Sequence, residues 1–292
     1  MDWQDRIITL YLDICEDYKN KLWRFCQRFS NYANLSFADE EVITIYMAGI
    51  MAGLTTKKQI YKHANDYWLG LFPKLPKYEA FVYRVNKLGD VFIAMMESYQ
   101  NMIPPEKFSE NKFRLTDSMP IIMAQQGRRF KAKVAPEVAD KGGYCSTKKL
   151  HYYGVKLHIV GCAQEGTIPI PEKIGLTSAG THDLKAYEQI LPEILQYDKF
   201  ADKAYYGSSI RGSKTYTPIK KDKGQEYLEA ADSLYSTAIS SIRQPIESLN
   251  NWIEEKVKIQ IATKVRSYNG LMAHVFGKLA VAFNLLVTKF SF

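Results

Sequence analysis

The sequence has few cysteines and no segment that would direct export. Four cysteines in 292 residues, none of them in a C-x-x-C pair, argue against a disulfide-stabilised secreted scaffold and favour a reduced cytoplasmic compartment. The first twenty residues carry acids where a signal peptide needs basic residues. Repetitive tracts are also missing, and 46% hydrophobic with 24% charged residues is typical of a globular protein. We therefore expect a cytoplasmic protein with one large or two ordinary domains.

Long uninterrupted hydrophobic runs are scarce as well. The most apolar segment, residues 270–292, is long enough to cross a bilayer but contains His274, Lys278, Asn284 and Lys289. Because such polar groups are costly in lipid, this segment is predicted to be a buried amphipathic helix, and no membrane partner is expected.

Negative charge is not in excess, and the net charge of +8 is unevenly distributed. Residues 1–113 contain 14 basic and 14 acidic side chains, whereas residues 117–160 contain 8 and 3. A clustered positive field is typical of a surface that binds phosphates, although a solvated basic face on another kind of enzyme has the same composition.

The N-terminal part of the chain is predicted to be helical. Ser36 or Asp39 is expected to cap one helix and Thr55 or Thr56 the next, and a third helix begins after Pro76. This pattern fits a helix-turn-helix DNA reader and equally a small structural bundle, and both interpretations stay open. The basic residues of the third helix that are expected to contact DNA are Lys77, Arg84 and Lys87.

Two prolines and a polar run at residues 102–112 end the helical pattern. Stretches rich in β-favouring residues then alternate with helical ones, which predicts a mixed sheet with helices packed on it, in the α+β or α/β class. The predicted strands lie near residues 113–123, 152–162, 168–180 and 214–220, and a further short strand ends at "FADKAYYG", residues 200–207. A helix is predicted at 181–195 and helices from about 225 onward. The expected domains are residues 1–112 and 113–292.

Two acids are associated with predicted strands. Asp117 lies within an apolar strand, with Leu115 and Met119 on its own face. If that strand is central, an unpaired carboxylate there is costly, so Asp117 is expected to pair with a cation. Asp202 follows a later strand in "FADKAYYG" and is the natural second carboxylate if the two strands are neighbours.

The third candidate acid, Glu247, lies four residues after Arg243 on a predicted helix face. Pro245 is expected in the first turn of that helix, since proline is tolerated there. Arg243 is expected to clamp a DNA phosphate, although an ordinary surface ion pair has the same spacing.

Together these residues resemble the acidic triad of the DDE transposases of bacterial insertion sequences, whose catalytic domain is ribonuclease H-like. The segments "LPKYEAFVYRVNKL" and "RSYNGLMAHVFGKLAVAFNLL" are similar to N-terminal and C-terminal regions of that family, and the group of insertion sequences numbered nine-eighty-two is the suspected subgroup. The chain departs from relatives with a Tyr–Arg–Glu–Lys helix signature, because Ser240 and Glu254 stand where tyrosine and lysine would be.

The resemblance implies that Asp117, Asp202 and Glu247 are catalytic residues that bind two Mg²⁺ ions, which Mn²⁺ can replace. Its implied substrates are double-stranded DNA at the terminal inverted repeats of the element and target DNA, and a homodimer is implied because two ends must be held together. The alternatives are a metal-dependent nuclease or resolvase of the same fold and a non-enzymatic DNA-binding protein. No His or Cys is spaced for zinc.

Basic residues of the second half are expected to contact DNA phosphates around these acids, and interleaved tyrosines to stack on unpaired bases. An unpartnered mobile loop is the alternative, and for the tyrosines it is favoured. The basic residues are Arg128, Arg129, Lys131, Lys133, Lys148, Lys149, Lys156, Lys203 and Arg243, and the tyrosines are Tyr144, Tyr152 and Tyr153.

Overall fold

The structure is a computed structural model that describes residues 2–26, 28, 35–109, 113–190, 197–206 and 214–288. The chain forms two compact units. The helical unit comprises Met1–Ile103 and Ile253–Phe292, and the sheet unit comprises Pro104–Trp252. The boundary expected at residue 112 therefore lies close to the first crossing, but the C-terminal helical segment groups with the N-terminal helices instead of with the sheet.

The helical unit is built as the apolar periodicity predicts. Its helices are α1 (Trp3–Asn20), α2 (Asp39–Met51), α3 (Lys57–Tyr67), α4 (Tyr78–Lys87) and α5 (Gly89–Asn101), followed much later by α9 (Tyr268–Thr288). Thr56 caps α3 as predicted, accepting from the Gln59 N–H at 3.2 Å. The cap predicted for α2 is wrong, because Ala38 occupies that position and its N–H is satisfied by Glu41 at 2.7 Å.

One predicted helix is divided in two. The apolar pattern from Tyr78 to Phe92 suggested a continuous helix, but α4 ends at Lys87 and α5 begins at Gly89. A Cβ atom at Gly89 would lie 2.9 Å from the Met272 Cβ atom, which leaves no room for a side chain between the two backbones. The break allows α5 to pack against α9 without changing the apolar spacing.

The helix α9 is the apolar centre of the helical unit. By length and composition Tyr268–Val287 could cross a membrane, but 78% of that stretch is buried in the unit, as the sequence predicts. Its polar groups have partners: His274 Nε2 lies 2.9 Å from the Ile259 carbonyl oxygen, and Lys278 Nζ donates to the Lys258 carbonyl oxygen at 2.8 Å. The segment therefore belongs to a protein core and not to a lipid phase.

The sheet unit contains a six-stranded mixed sheet. Strand β1 pairs antiparallel with β3 and parallel with β5, β3 pairs antiparallel with both β2 and β4, and β5 pairs parallel with β6. The strands are β1 (Phe113–Gln125), β2 (Gly142–Cys145), β3 (Leu150–Cys162), β4 (Ile170–Ser178), β5 (Asp198–Phe200) and β6 (Thr215–Tyr216), and the helices are α6 (Glu106–Ser109), α7 (Asp183–Ile190) and α8 (Ala230–Val257). The short β2 was not predicted. The C-terminal part of the helix predicted at 181–195 lies outside the described residues.

Helices cover both faces of this sheet. Asp183 at the start of α7 accepts a hydrogen bond from Ser118 at 3.2 Å, whereas Asn250 of α8 reaches Asp117 on the opposite face. Successive residues of a strand alternate between faces, so Asp117 and Ser118 necessarily contact different layers. This is the mixed sheet with flanking helices that the resemblance implies.

The position predicted for Pro245 is wrong. Instead of opening a helix, Pro245 lies in the interior of the 28-residue α8. An internal proline removes one backbone hydrogen bond and costs about 3 kcal/mol. Packing offsets this cost, because Ile246, Leu249 and Ile253 are fully buried and each such side chain stabilises the fold by roughly 1.5–3 kcal/mol. Of the predicted apolar stripe, Ile242 alone is exposed.

Gly277 of α9 provides a test of this packing. A Cβ atom at this position would lie 2.6 Å from Tyr46 Cε1 and 3.3 Å from Phe92 Cδ2. Helix propensity alone predicts that Gly277→Ala stabilises the protein by about 1 kcal/mol. We expect the opposite sign, a loss of about 1–3 kcal/mol in the free energy of unfolding measured with urea, because the ring of Tyr46 is buried and cannot move aside. Gly70→Ala is the control, since a Cβ atom there meets nothing within 4 Å. A stabilised Gly277→Ala protein would contradict the packing of α9 described above.

Candidate active site

The register of two parallel strands brings Asp202 beside Asp117. Leu115 of β1 is paired with Phe200 of β5, so the positions two residues further along each strand, 117 and 202, are neighbours. Asp202 lies two residues after the end of β5 and caps a short 3₁₀ turn, accepting from the Lys203 N–H at 2.7 Å. The sequence-based expectation that these strands are adjacent is confirmed.

One face of α8 supplies the remaining polar groups. The guanidinium of Arg243 forms an ion pair with Glu247, and its Nη1 lies 3.8 Å from Asp117 Oδ1. The amide of Asn250 donates to Asp117 Oδ2 at 2.9 Å. Residues 243, 247 and 250 are spaced four and three apart, which places them on the same side of the helix. Arg243 therefore neutralises two acids at once, and Asn250 fixes the orientation of one.

Sequence analysis missed Asn250. It is buried, and its Oδ1 atom and the Nε atom of Arg243 have no hydrogen-bond partner in the described part of the chain. The available signal was its spacing, since Asn250 follows Glu247 by three residues and precedes the apolar Ile253 by three. Asparagine is common on helix surfaces, so this spacing alone does not distinguish it from a solvated residue.

The three acids share one electrostatic environment. Burial raises the pKa of Asp117 to about 6, the positive charge of Arg243 opposes that rise, and the negative charges of Glu247 and Asp202 add to it. The Asp117 side chain is 22% exposed and that of Glu247 47%, so the site opens to solvent on the side of α8 that carries Glu247. Such mutual repulsion is the condition under which a divalent cation binds favourably.

The donor set fits a hard divalent cation in kind. Asp117, Asp202, Glu247 and the unpartnered Oδ1 of Asn250 all offer oxygen, the ligand that Mg²⁺ and Mn²⁺ prefer. Among the residues that the structure describes, no three His, Cys, Asp or Glu side chains are already gathered closely enough to hold an ion. One of the proposed ligands, the carboxylate of Glu247, forms an ion pair with Arg243 in this arrangement.

Several basic residues expected around the acids lie elsewhere. Arg128 is in the 3₁₀ turn that follows β1, and Gln125 at the end of β1 is eight residues from Asp117, about 26 Å at the usual rise of a strand. The exposed residues at this end of the sheet are Arg128, Lys131, Lys133, Lys148 and Lys149, with Arg129 half-buried over the ring of Phe130. They form a separate basic end of the sheet unit.

Two basic residues are used inside the fold. Lys156 lies on the face of the sheet opposite Asp117 and donates to Asp183 Oδ1 and to the Thr181 carbonyl oxygen, both at 3.0 Å. Arg84 forms a bidentate ion pair with the buried Asp39. Internal acids already satisfy both cations, so the structure gives no support to their predicted contacts with DNA.

The remaining predicted contacts have exposed side chains. Lys77 and Lys87 are exposed on α4, and Lys203 is exposed next to Asp202. Among the tyrosines, Tyr144 is exposed, but Tyr152 and Tyr153 are buried and have no free ring face for a base.

The raised pKa of Asp117 leads to a prediction about stability. Asp117 titrates at about 6 in the folded protein and near 3.8 when unfolded, so the folded state holds more protons between these values. The free energy of unfolding should therefore fall as the pH rises from about 4 to 6 without divalent ions. At pH 8, Asp117→Asn should unfold with a free energy higher by on the order of 2 kcal/mol. Its new N–H group also offers a donor to Asn250 Oδ1.

The matched control is Asp183→Asn, on the opposite face of the sheet. It removes the partner of Lys156 and should lower stability at pH 8. Urea unfolding of the three proteins at pH 5 and pH 8 measures both effects. An Asp117→Asn protein that is less stable than the parent at pH 8 would show that the carboxylate is not under strain.

Comparison with known families agrees with this geometry. A family model described as the transposase DDE domain matches residues 109–285, more than half of the chain and the part that contains all three acids. No curated protein and no solved structure shows significant similarity to the chain. The match does not resolve subgroups, so the assignment to the group numbered nine-eighty-two stays a prediction. This match over more than half of the chain, together with the mixed sheet and its flanking helices, shows that the chain belongs to the DDE transposases, with a ribonuclease H-like catalytic fold.

Proposed function

We propose that this transposase cleaves DNA at the ends of a bacterial insertion sequence and joins the freed 3′-ends to target DNA. Asp117, Asp202 and Glu247 are proposed as the catalytic acids that bind two Mg²⁺ ions, or Mn²⁺ in their place. The observation that carries this proposal is the placement of Asp117 and Asp202 along two neighbouring parallel strands, with Arg243 of α8 between Asp117 and Glu247. The family match supports transposase chemistry in general and leaves these residue roles to experiment.

In this scheme, the side chains of the protein hold the acids in position and balance their charge. Bound divalent cations would activate the attacking oxygen and stabilise the leaving oxygen of the phosphodiester. Asn250 holds the carboxylate of Asp117 in place through its amide. Arg243 neutralises Asp117 and Glu247 in the metal-free protein, and its planar guanidinium suits a DNA phosphate once cations take over that task.

The DNA partners follow from the distribution of exposed charge. Lys203 adjoins the acidic site, and the basic end of the sheet unit would hold phosphates further along the same duplex. Lys77 and Lys87 of the helical unit are proposed contacts to the terminal inverted repeats. The working unit is proposed to be a cytoplasmic homodimer, because two element ends must be held together.

The roles of the acids are tested by isosteric substitutions. Asp117→Asn, Asp202→Asn and Glu247→Gln should each lower cleavage of a labelled element end by at least about a thousandfold, since each removes a proposed metal ligand without adding bulk. DNA binding measured by gel shift should change by less than about threefold. Glu255→Gln on the same helix, exposed and outside the site, should cleave normally.

A labelled donor end and a supercoiled plasmid target then separate the possible activities. Joined products indicate a transposase, and nicking without joining indicates a nuclease or resolvase. Metal-independent binding with neither reaction would leave the acids with a structural role only.

Substitutions of Arg243 test whether its positive charge or its planar geometry is needed. Arg243→Lys keeps a positive charge but loses the planar fork, and one ammonium cannot bond both Asp117 and Glu247 as the guanidinium does. For Arg243→Lys we expect cleavage to fall by roughly 10–100-fold. For Arg243→Ala we expect the magnitude of the salt slope of end binding to fall by about one. The matched control is Arg24→Lys, an exposed arginine of the helical unit with no proposed contact to DNA. Unaltered cleavage and joining by Arg243→Lys would reduce the residue to a generic positive charge.

A further inference from the structure

A cavity large enough for a ligand lies within the helical unit, separate from the three acids. This cavity of about 670 Å³, partly open to solvent, is lined by α2, α3, α4, α9 and the segment of residues 258–267 that precedes α9. Its walls are mostly apolar, with Ile50, Ile60, Val82 and Val265 among them. Cavities of roughly 300–1,000 Å³ are the size that proteins use for small molecules and cofactors.

All of the charged side chains that line this cavity in the described part of the chain are basic. They are Lys57, Lys58, Lys258, Lys264, Arg266 and Lys278. Lys278 is buried and Lys57 half-buried, whereas the other four are exposed at the rim. Six cations with no carboxylate on the wall make the potential of this cavity positive. The first turn of α3 adds the positive end of its helix dipole at Lys57 and Lys58.

Two of these lysines are held inside by neutral partners. Lys278 is 1% exposed and donates to the Lys258 carbonyl oxygen at 2.8 Å, and Lys57 donates to the side-chain oxygen of Asn86. The acid that acts on Lys278 is Glu254, whose carboxylate accepts from the Gln260 N–H at 2.9 Å. Burial lowers the pKa of Lys57 to about 8, and burial together with the charge of Lys57 lowers that of Lys278 to about 8 against the opposing charge of Glu254. Keeping both ammonium groups charged while they are buried costs free energy, and an anion bound between them would offset that cost.

We propose that this cavity binds a phosphate-bearing ligand of nucleotide size, with its phosphate between Lys57 and Lys278 and its flat apolar part against the apolar wall. The ring of Tyr78 and the side chains of Ile60 and Val82 line that wall. Such a ligand is either a free nucleotide or the terminal nucleotide of a DNA strand, because the two present the same phosphomonoester. The site does not depend on the catalytic roles of the acids.

The binding test uses the full chain at low ionic strength and isothermal titration calorimetry. Deoxyadenosine monophosphate should bind and raise the melting temperature, while deoxyadenosine, which has the same base without the phosphate, should bind at least tenfold more weakly. A short oligonucleotide with and without a 5′-phosphate then identifies the source. Tighter binding of the phosphorylated strand than of the mononucleotide assigns the site to a strand end, and the reverse assigns it to a free nucleotide.

Substitutions at Lys57 separate a ligand site from a structural lysine. Lys57→Met should lower affinity for deoxyadenosine monophosphate at least tenfold, while its melting temperature without ligand stays the same or rises because a buried charge is removed. Lys57→Arg should retain most of the affinity. Lys62→Met, an exposed lysine of the same helix outside the cavity, is the control and should bind as the parent does.

Two outcomes would overturn the proposal. They are equal binding of deoxyadenosine and its monophosphate, and unchanged affinity for the monophosphate in the Lys57→Met protein. Far-UV circular dichroism of each variant confirms that it is folded, so a loss of binding is read from a folded protein.

Discussion

The site depends on one carboxylate, that of Asp117, which lies in an apolar strand with 22% of its side chain exposed. Its placement is energetically unfavourable by itself, and each neighbouring group is arranged around that fact. Arg243 and Asn250 compensate it from α8, while Asp202 and Glu247 add to the charge that must be balanced. The same helix contributes the buried Ile246 and Leu249 to the hydrophobic core. The packing of the core and the charge balance of the site are therefore set by a single contact surface between α8 and the sheet.

Local rules predicted much of this arrangement. Alternation along a strand placed Asp117 with Leu115 and Met119, and helical spacing placed Glu247 with Arg243. The adjacency of Asp117 and Asp202 was conditional, because strand pairing joins residues that are distant in sequence and no local pattern fixes it. The observed register satisfied that condition. The role of Asn250 could not be predicted from the sequence, since an amide becomes significant only when the fold places a specific carboxylate opposite it.

Tertiary packing also accounts for the predictions that the structure does not support. Pro245 is predicted at a helix start because the free-energy cost of proline inside a helix follows from local geometry alone. The burial that offsets this cost depends on the sheet that packs against α8, which local geometry does not reveal. Arg84 and Lys156 were counted as part of a basic surface, yet Asp39 and Asp183 bind them internally. Composition counts charges without showing which are already paired. The separation between the acids and the basic end of the sheet was not predicted for the same reason, because a count of lysines does not give the length of β1.

The discontinuous helical unit affects how the chain is made. Its N-terminal helices are synthesised early, but Gly277 and the rest of α9 pack among them only after the whole sheet unit has left the ribosome. At about 5–20 residues per second, that delay is roughly ten to thirty seconds. During this time the nascent chain carries apolar helix faces that have no partner, so chaperones have a long opportunity to bind it. A message truncated before α9 yields a polypeptide whose first domain cannot close, which makes proteolysis the natural fate of incomplete copies.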